Sequence, residues 1–357
     1  MLQIEVSRLR SRHDKRVDPA KRFAVLDLKP NAFALELKGE TLAGMPKVGM
    51  ILPEAENDLE GRTPRWHDYV AMAQAVEDLG YDSLWFVDHY IYKNDASGLP
   101  PQGAWECWSM LAALAAATSR VEIGSLVTAT SFRNPALLAK TADTIDEISN
   151  GRLILGIGAG WNEVEYRMYG FPYDHRFDRF QEAFTILNGL LRDGEIDFAG
   201  TYYTARECEL RPRGPRAGGP PIMIGSRGPK MLATTLPHVP MWNGWLCDAA
   251  SDVSSYPDLK ATVDGVCAQV GRDPETLERT ISISIDPTGT RDFPRHWHLL
   301  NDLSKIVPLT GTTEEIARGI RAFGDAGVSH VQVYPIPPTL RTMEQIAPAV
   351  EMARGMA

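Results

Sequence analysis

From residue 45 onward, short apolar runs alternate with longer segments whose apolar residues recur every three or four positions. The runs Val48–Leu52, Ser83–Val87, Val121–Thr128 and Leu153–Ile157 have the length and continuity of strands buried on both faces. Between them the spacing predicts helices. Trp66–Leu79 carries Met72, Val76 and Leu79 on one face and is closed by Gly80. Trp105–Ala117 is alanine-rich, Pro135–Ile148 is opened by its proline, and Phe177–Leu191 aligns Phe180, Phe184, Leu187 and Leu191. The rhythm breaks over residues 195–210. There Ile196–Tyr203 and Arg206–Leu210 predict a surface hairpin turning near Ala199-Gly200, followed by a Pro/Gly/Arg linker, Arg211–Pro221. Alternation resumes with Pro221–Ile224, Pro229–Leu236, Met241–Leu246, Pro257–Val270, Thr280–Ile285, Thr312–Ala326, Ser329–Tyr334 and Thr339–Arg354, with Thr312 and Glu315 forming a capping box. Eight strand–helix units predict an α/β fold with a parallel sheet under helices. Eight favours closure into a (β/α)8 TIM-like barrel, with an open doubly wound sheet as the alternative.

Composition narrows the class. Of 357 residues, 44% are hydrophobic and 23% charged, which excludes wholesale disorder. The longest apolar stretch, Met110–Ala117, is too short to span a bilayer, and the charged N-terminal residues do not read as a signal peptide. Cys107, Cys208, Cys247 and Cys267 lie far apart, which argues against a disulfide scaffold or a sequence-local zinc site and for a reducing cytoplasm. Net charge is 37 − 46 = −9. Residues 1–44 hold nine Lys/Arg and six Asp/Glu, so the other 313 residues carry 28 − 40 = −12. A surface this acidic excludes general affinity for nucleic acid or anionic lipid. Residues 1–44 read as an N-terminal extension in which Phe23–Leu28 and Phe33–Leu37 would pair as a hairpin. Met45 reads as a fresh start, so the segment is either an appendage or the product of a misassigned start codon, and 45–357 is the barrel domain.

In such a barrel, chemistry sits on loops after the C-terminal strand ends. Those positions here hold Asp88-His89-Tyr90, Ser125–Thr130, Gly156–Glu163, Gly225–Pro229 and Asn243-Gly244-Trp245. An imidazole at the rim, His89, suits proton transfer near neutral pH; the alternative is a helix-entry turn with a solvated ring. The glycines before Trp161 fail the dinucleotide pattern GxGxxG, because its third glycine would fall at Trp161. Gly158 and Gly160 instead suggest close approach of a flat ligand, with Trp161 as a wall or as core. Gly225, Ser226, Arg227 and Gly228, before Pro229, suggest an anion site, against an ordinary βα turn. His296 and His298 are too few for a metal site, so no metal is expected. Their segment, with Phe293, Trp297, Leu299 and Leu300, reads as a lid insertion.

These residues carry a resemblance. Ala75–His89 (AVEDLGYDSLWFVDH), Val121–Asn134 with its Phe132-Arg133-Asn134-Pro135, Pro221–Gly228, Trp242-Asn243-Gly244 and above all Ser149–Phe184 (SNGRLILGIGAGWNEVEYRMYGFPYDHRFDRFQEAF) are similar to the luciferase-like monooxygenase superfamily. The match is strongest to its actinobacterial oxidoreductases, which use flavin or the deazaflavin coenzyme F420. The resemblance covers residues 45–357 and implies a cofactor ring in the barrel mouth. It places His89, preceded by Asp88, at the reactive ring carbon, and a non-proline cis peptide at Ser125-Leu126. It puts Asn162 near the pyrimidine edge, and Ser226, Arg227 and Gly228 at the cofactor phosphate. With Leu126, Thr128, Gly160 and Gly225 these form the expected site. There are departures: Trp161 stands where many deazaflavin members carry a glutamate, with Glu163 two residues later. Ser226-Arg227 replaces a common Gly-Gly, and Val239-Pro240-Met241 interrupts the run before Trp242-Asn243. The first expectation is a cytoplasmic F420-dependent oxidoreductase moving a hydride to or from a small organic substrate. Alternatives are a two-component FMN monooxygenase fed by a separate reductase, and a silent cofactor-carrying barrel. The resemblance also implies a homodimer and a possible separate flavin or F420 reductase.

Overall fold

The computed structural model describes residues 45–300 and 302–356; segment 1–44, with its expected hairpin, lies outside the described residues. Eight parallel strands follow one another around the core: β1 Lys47–Ile51, β2 Ser83–Phe86, β3 Glu122–Ser125, β4 Leu153–Gly158, β5 Ile222–Gly225, β6 Met241–Trp245, β7 Glu278–Ile285 and β8 His330–Pro335. Each pairs with its sequence neighbours, and β8 returns to β1 with Val331 opposite Val48, so the sheet closes. Residues of β2, β4 and β8 are buried throughout, which is why β2 and β4 read as near-continuous apolar runs, while β8 buries His330 and Gln332 at alternate positions.

The helices α1 Trp66–Asp78, α2 Cys107–Ala117, α3 Pro135–Ile148, α4 Glu163–Tyr169, α5 Arg176–Asp193, α6 Pro229–Thr235, α7 Pro257–Gln269, α8 Trp297–Leu300, α9 Thr313–Asp325 and α10 Leu340–Gly355 succeed the strands. Their boundaries follow local chemistry. The Asn134 side chain accepts from the amides of Ala136 and Leu137 at the start of α3, and Thr312 with Glu315 forms the expected capping box of α9. The expected hairpin pairs Glu195–Ala199 with Thr204–Glu209. Among the described residues, no helix is long and apolar enough to cross a membrane.

Two local differences from the sequence reading matter for the site. The segment read as one strand, Val121–Thr128, stops at Ser125, bulges at Leu126-Val127, and pairs again through Thr128-Ala129 beside Ile157-Gly158. The non-proline cis peptide lies at Leu126-Val127, one bond beyond the expected Ser125-Leu126. Glycine on β4 makes room for this bulge: a Cβ on Gly156 would stand 2.0 Å from the Ser125 carbonyl oxygen. Second, α4 was not anticipated. It is a short helix closed by Gly170 in left-handed conformation, too brief to show a convincing period.

Candidate active site

The strand tips surround a cavity of about 660 Å³, within the size range of small-molecule sites. β2 runs through Val87 and Asp88 to His89, whose ring lines this cavity with its side chain 18% exposed. Its Nδ1 lies 2.8 Å from Glu165 Oε2 on α4. The other oxygen, Glu165 Oε1, accepts from the amides of Tyr90 at 2.5 Å and Ile91 at 3.2 Å. A buried carboxylate held by two amides fixes the ring and favours the tautomer with hydrogen on Nδ1. Nε2 then has no hydrogen-bond partner among the described residues. Burial works to lower the His89 pKa, but the hydrogen bond and charge of Glu165, with Glu54 and Asp88 behind it, outweigh burial and raise it.

Asp88 does different work. Both its oxygens take the Arg133 guanidinium, at 2.6 and 2.8 Å, and Oδ2 also accepts the Ala129 amide at 3.1 Å. This ties the β2 tip to the bulge after β3. Burial raises the Asp88 pKa against the opposing pull of Arg133.

Opposite His89, the floor comes from Leu126 and Val127, then Gly158–Trp161 after β4 and Gly225–Arg227 after β5. The glycines serve the protein's own packing as much as a ligand. A Cβ on Gly225 would meet both Val127 methyls at 2.9 Å, and one on Gly160 would overlap the Tyr166 hydroxyl at 2.1 Å. Gly158 and Gly160 line the cavity as the sequence reading expects, and they also make room for the protein's own side chains, Val127 beside Gly158 and Tyr166 beside Gly160. Trp161 is 54% exposed and packs edge-on to His89 at 5.5 Å, so it is a wall of the cavity and not core.

The expected set thus separates. His89, Asp88, Leu126, Gly160, Gly225, Ser226 and Arg227 line one cavity. Ser125 donates to the Gly156 carbonyl at 2.8 Å, and Asn162 donates to the Ile91 carbonyl at 3.0 Å; both stand behind the lining. Thr128 is buried with its hydroxyl unpartnered among the described residues, and Gly228 lies just outside, its amide donating to Ser226 Oγ at 3.1 Å.

Two acids escaped the sequence reading. Glu163, the acid noted there, is exposed, whereas Glu165 is buried. The available signal was helical phase, because Asn162, Glu165 and Tyr166 share the inward face. Glu54, at the tip of β1, accepts the Tyr92 hydroxyl at 2.5 Å and lies 3.2 Å from His296 Nε2. The rim rule itself would have found it. His296 descends from the lid between Glu54 and Asp58, with Nδ1 2.9 Å from Asp58 Oδ1, and stacks on Tyr92 at 4.4 Å. Burial opposes its charge, but the two carboxylates prevail and bring its pKa up to about 9. The lid is as expected in place, with Trp297 and Leu300 facing the cavity and Phe293 stacked on Trp297 at 5.7 Å. Among the described residues, no three or more His, Cys, Asp or Glu side chains are grouped to hold a metal ion.

A closed parallel barrel with an imidazole–carboxylate pair at its rim and a glycine–arginine loop across the mouth defines an enzyme barrel built around a small molecule. Residues 45–291 match the family model for luciferase-like monooxygenase, and the chain belongs to that family, as an oxidoreductase. Among relatives, it is 31% identical over 65% of its length to 64% of a 5,10-methylenetetrahydromethanopterin reductase of Archaeoglobus fulgidus. It is 30% identical over 70% of its length to 75% of an F420-dependent glucose-6-phosphate dehydrogenase of Amycolatopsis mediterranei. Among solved structures, an F420-dependent secondary alcohol dehydrogenase in complex with an F420-acetone adduct superposes with a TM-score of 0.68 at 21% identity, covering 86% of this chain and 99% of that one.

Proposed function

We propose that this protein is an F420-dependent oxidoreductase that moves a hydride between bound coenzyme F420 and a small organic substrate. The observation that carries this reading is the His89–Glu165 pair facing, across one cavity, a floor of bulged backbone that ends in an exposed arginine loop. The F420-dependent relatives support it.

The residues fit such a group. Leu126 and Val127 with the small residues Gly158, Ala159 and Gly160 line one part of the cavity and would take a planar ring. At Gly225–Gly228, Arg227 is exposed without a hydrogen-bond or ion-pair partner among the described residues, and a Cβ on Gly228 would find nothing nearer than 3.7 Å. Arg227, the loop amides and Ser226 would hold an anionic tail. When bound, the deazaflavin supplies a two-electron hydride acceptor or donor. The protein supplies geometry and a proton path. In alcohol oxidation the substrate C–H bond breaks with its electron pair leaving as hydride, the carbonyl forms, and His89 Nε2 takes the hydroxyl proton. Glu165 stabilises the imidazolium so produced. In the reverse direction the same ring donates. Trp161 and the lid exclude water.

Ser125, Thr128 and Asn162 support the cradle from behind, and Asp88 positions the β2 tip through Arg133. The 45–357 unit is the catalytic barrel and residues 1–44 an extension to it. The protein acts in the cytoplasm, pairs with a second copy of itself, and draws on a separate enzyme to recycle its cofactor. Equilibrium titration of the purified chain with F420 and FMN, each oxidised and reduced, tests the central claim. Tighter binding of F420 is expected. Preference for FMN, or oxygen uptake coupled to product, would replace the reading with an FMN monooxygenase.

A further inference from the structure

The cavity has two unlike halves, and the difference names a substrate class. The tips of β3, β4 and β5 contribute Leu126, Val127, Trp161, glycines and Arg227. The tips of β1 and β6 and the lid contribute Glu54, Trp245, Asp248, Trp297 and Leu300. Every carboxylate in the lining but one is matched. Asp88 has Arg133, Glu165 has His89, and Glu54 shares His296 with Asp58. Asp248 is exposed at the mouth with no hydrogen-bond or ion-pair partner among the described residues. Arg227 is the one Lys or Arg among the described lining residues, and it stands in the other half.

Resting on the proposed hydride transfer, we infer that the half bounded by Glu54, Asp248, Trp245 and Trp297 takes an uncharged, mostly apolar alcohol or carbonyl compound and rejects phosphorylated or carboxylated ones. Glu54 and Asp58 exceed the single charge of His296 by one, and Asp248 adds another. An anionic substrate group there meets net negative charge, loses its hydration, and finds no free cation to repay the loss. An uncharged oxygen needs only His89 Nε2, and its carbon skeleton gains the indole faces of Trp245 and Trp297. Discrimination therefore comes from repulsion of the wrong class as much as attraction of the right one.

Isothermal titration calorimetry on the full chain tests this without reading turnover. F420 is titrated first. Cyclohexanone, cyclohexanol, cyclohexanecarboxylate and glucose 6-phosphate are then titrated into both the F420-loaded and the free protein. Cyclohexanone and cyclohexanecarboxylate share a ring and differ by one charge. At ordinary salt the neutral rings are expected to bind at least about tenfold tighter than the carboxylate, with glucose 6-phosphate weaker still. Asp248→Asn is expected to narrow that gap about threefold and Asp248→Lys to close it. Comparable or tighter binding of either anion, no binding of the neutral rings, or a gap that ignores both Asp248 substitutions would overturn the inference. Failure of F420 itself to bind would instead overturn the proposed function, and the same probes on an Arg227→Ala chain, whose cavity keeps no lysine or arginine among the described lining residues, would still decide the inference.

Discussion

His89 works at a proton balance that Glu165 sets. Burial alone would leave the imidazole neutral; the carboxylate 2.8 Å away restores its affinity for a proton. Glu165→Gln keeps the shape and removes the charge, so the His89 pKa should fall. If His89 must be neutral to accept the substrate proton, the rising limb of kcat/KM for alcohol oxidation moves to lower pH. The maximum rate should drop about 10²-fold, because the imidazolium formed in the reaction loses its partner. A pH–rate profile beside an NMR titration of the ring checks both parts, and an unmoved limb would count against the pair. This residue also marks where the sequence stops being legible. Asp88-His89 is visible as a polar break after an apolar strand. Glu163 and Glu165 are chemically equal on paper, and what separates them is the phase of α4, a helix of seven residues.

At the scale of elements, the bulge after β3 and the lid after β7 shape the cavity, and each has its own test. Gly156→Ala would drive a Cβ against the Ser125 carbonyl, a backbone atom with no freedom to withdraw. A loss of about 3 kcal/mol or more is expected in chemical denaturation. Gly228→Ala, whose Cβ meets nothing closer than 3.7 Å, should cost less than about 1 kcal/mol. The cis bond fell one residue from its expected place, at Leu126-Val127, because the strand's apolar residues continue straight through it and mark no single peptide. The lid depends on pH through His296. Its pKa is raised from 6.5 to about 9, so its charged contacts with Asp58 and Glu54 contribute fully below pH 6.5 and fade as pH climbs through 9. Folding stability should therefore decline by about 3 kcal/mol across that window. His296→Gln should flatten the decline; equal slopes in denaturation midpoints at pH 6, 8 and 9 would sink the assignment. The lid was legible as a segment from its aromatic residues. Its anchor was not, since His296 lies 238 positions from Asp58 in the chain.

For the whole molecule, the barrel was readable because a closed parallel sheet buries its strands on both faces and most of them are short and largely apolar, although β7 hides Thr280, Ser282 and Ser284 and β8 hides His330 and Gln332 at alternate positions. What lies outside the barrel's own core is harder to read, and the outer face of α2 and α3 is the instance that bears on assembly. Leu137 is 62% exposed and Ile148 46% exposed, both on α3. They flank a groove of about 510 Å³ lined by Trp108, Ala112, Leu138 and Ile145. A monomer gains nothing from apolar side chains set around a groove, whereas a two-fold partner would place the same residues against the same groove twice. Polar rim residues Ser109, Thr141 and Thr144 would close such an interface with hydrogen bonds. If the chain pairs with a second copy as proposed, the double substitution Leu137→Glu with Ile148→Glu should leave it monomeric at micromolar concentration, with the barrel's circular dichroism unchanged. Sedimentation equilibrium reads the outcome. A wild-type chain that sediments as a monomer, or a double variant that remains dimeric, would remove this face from the assembly.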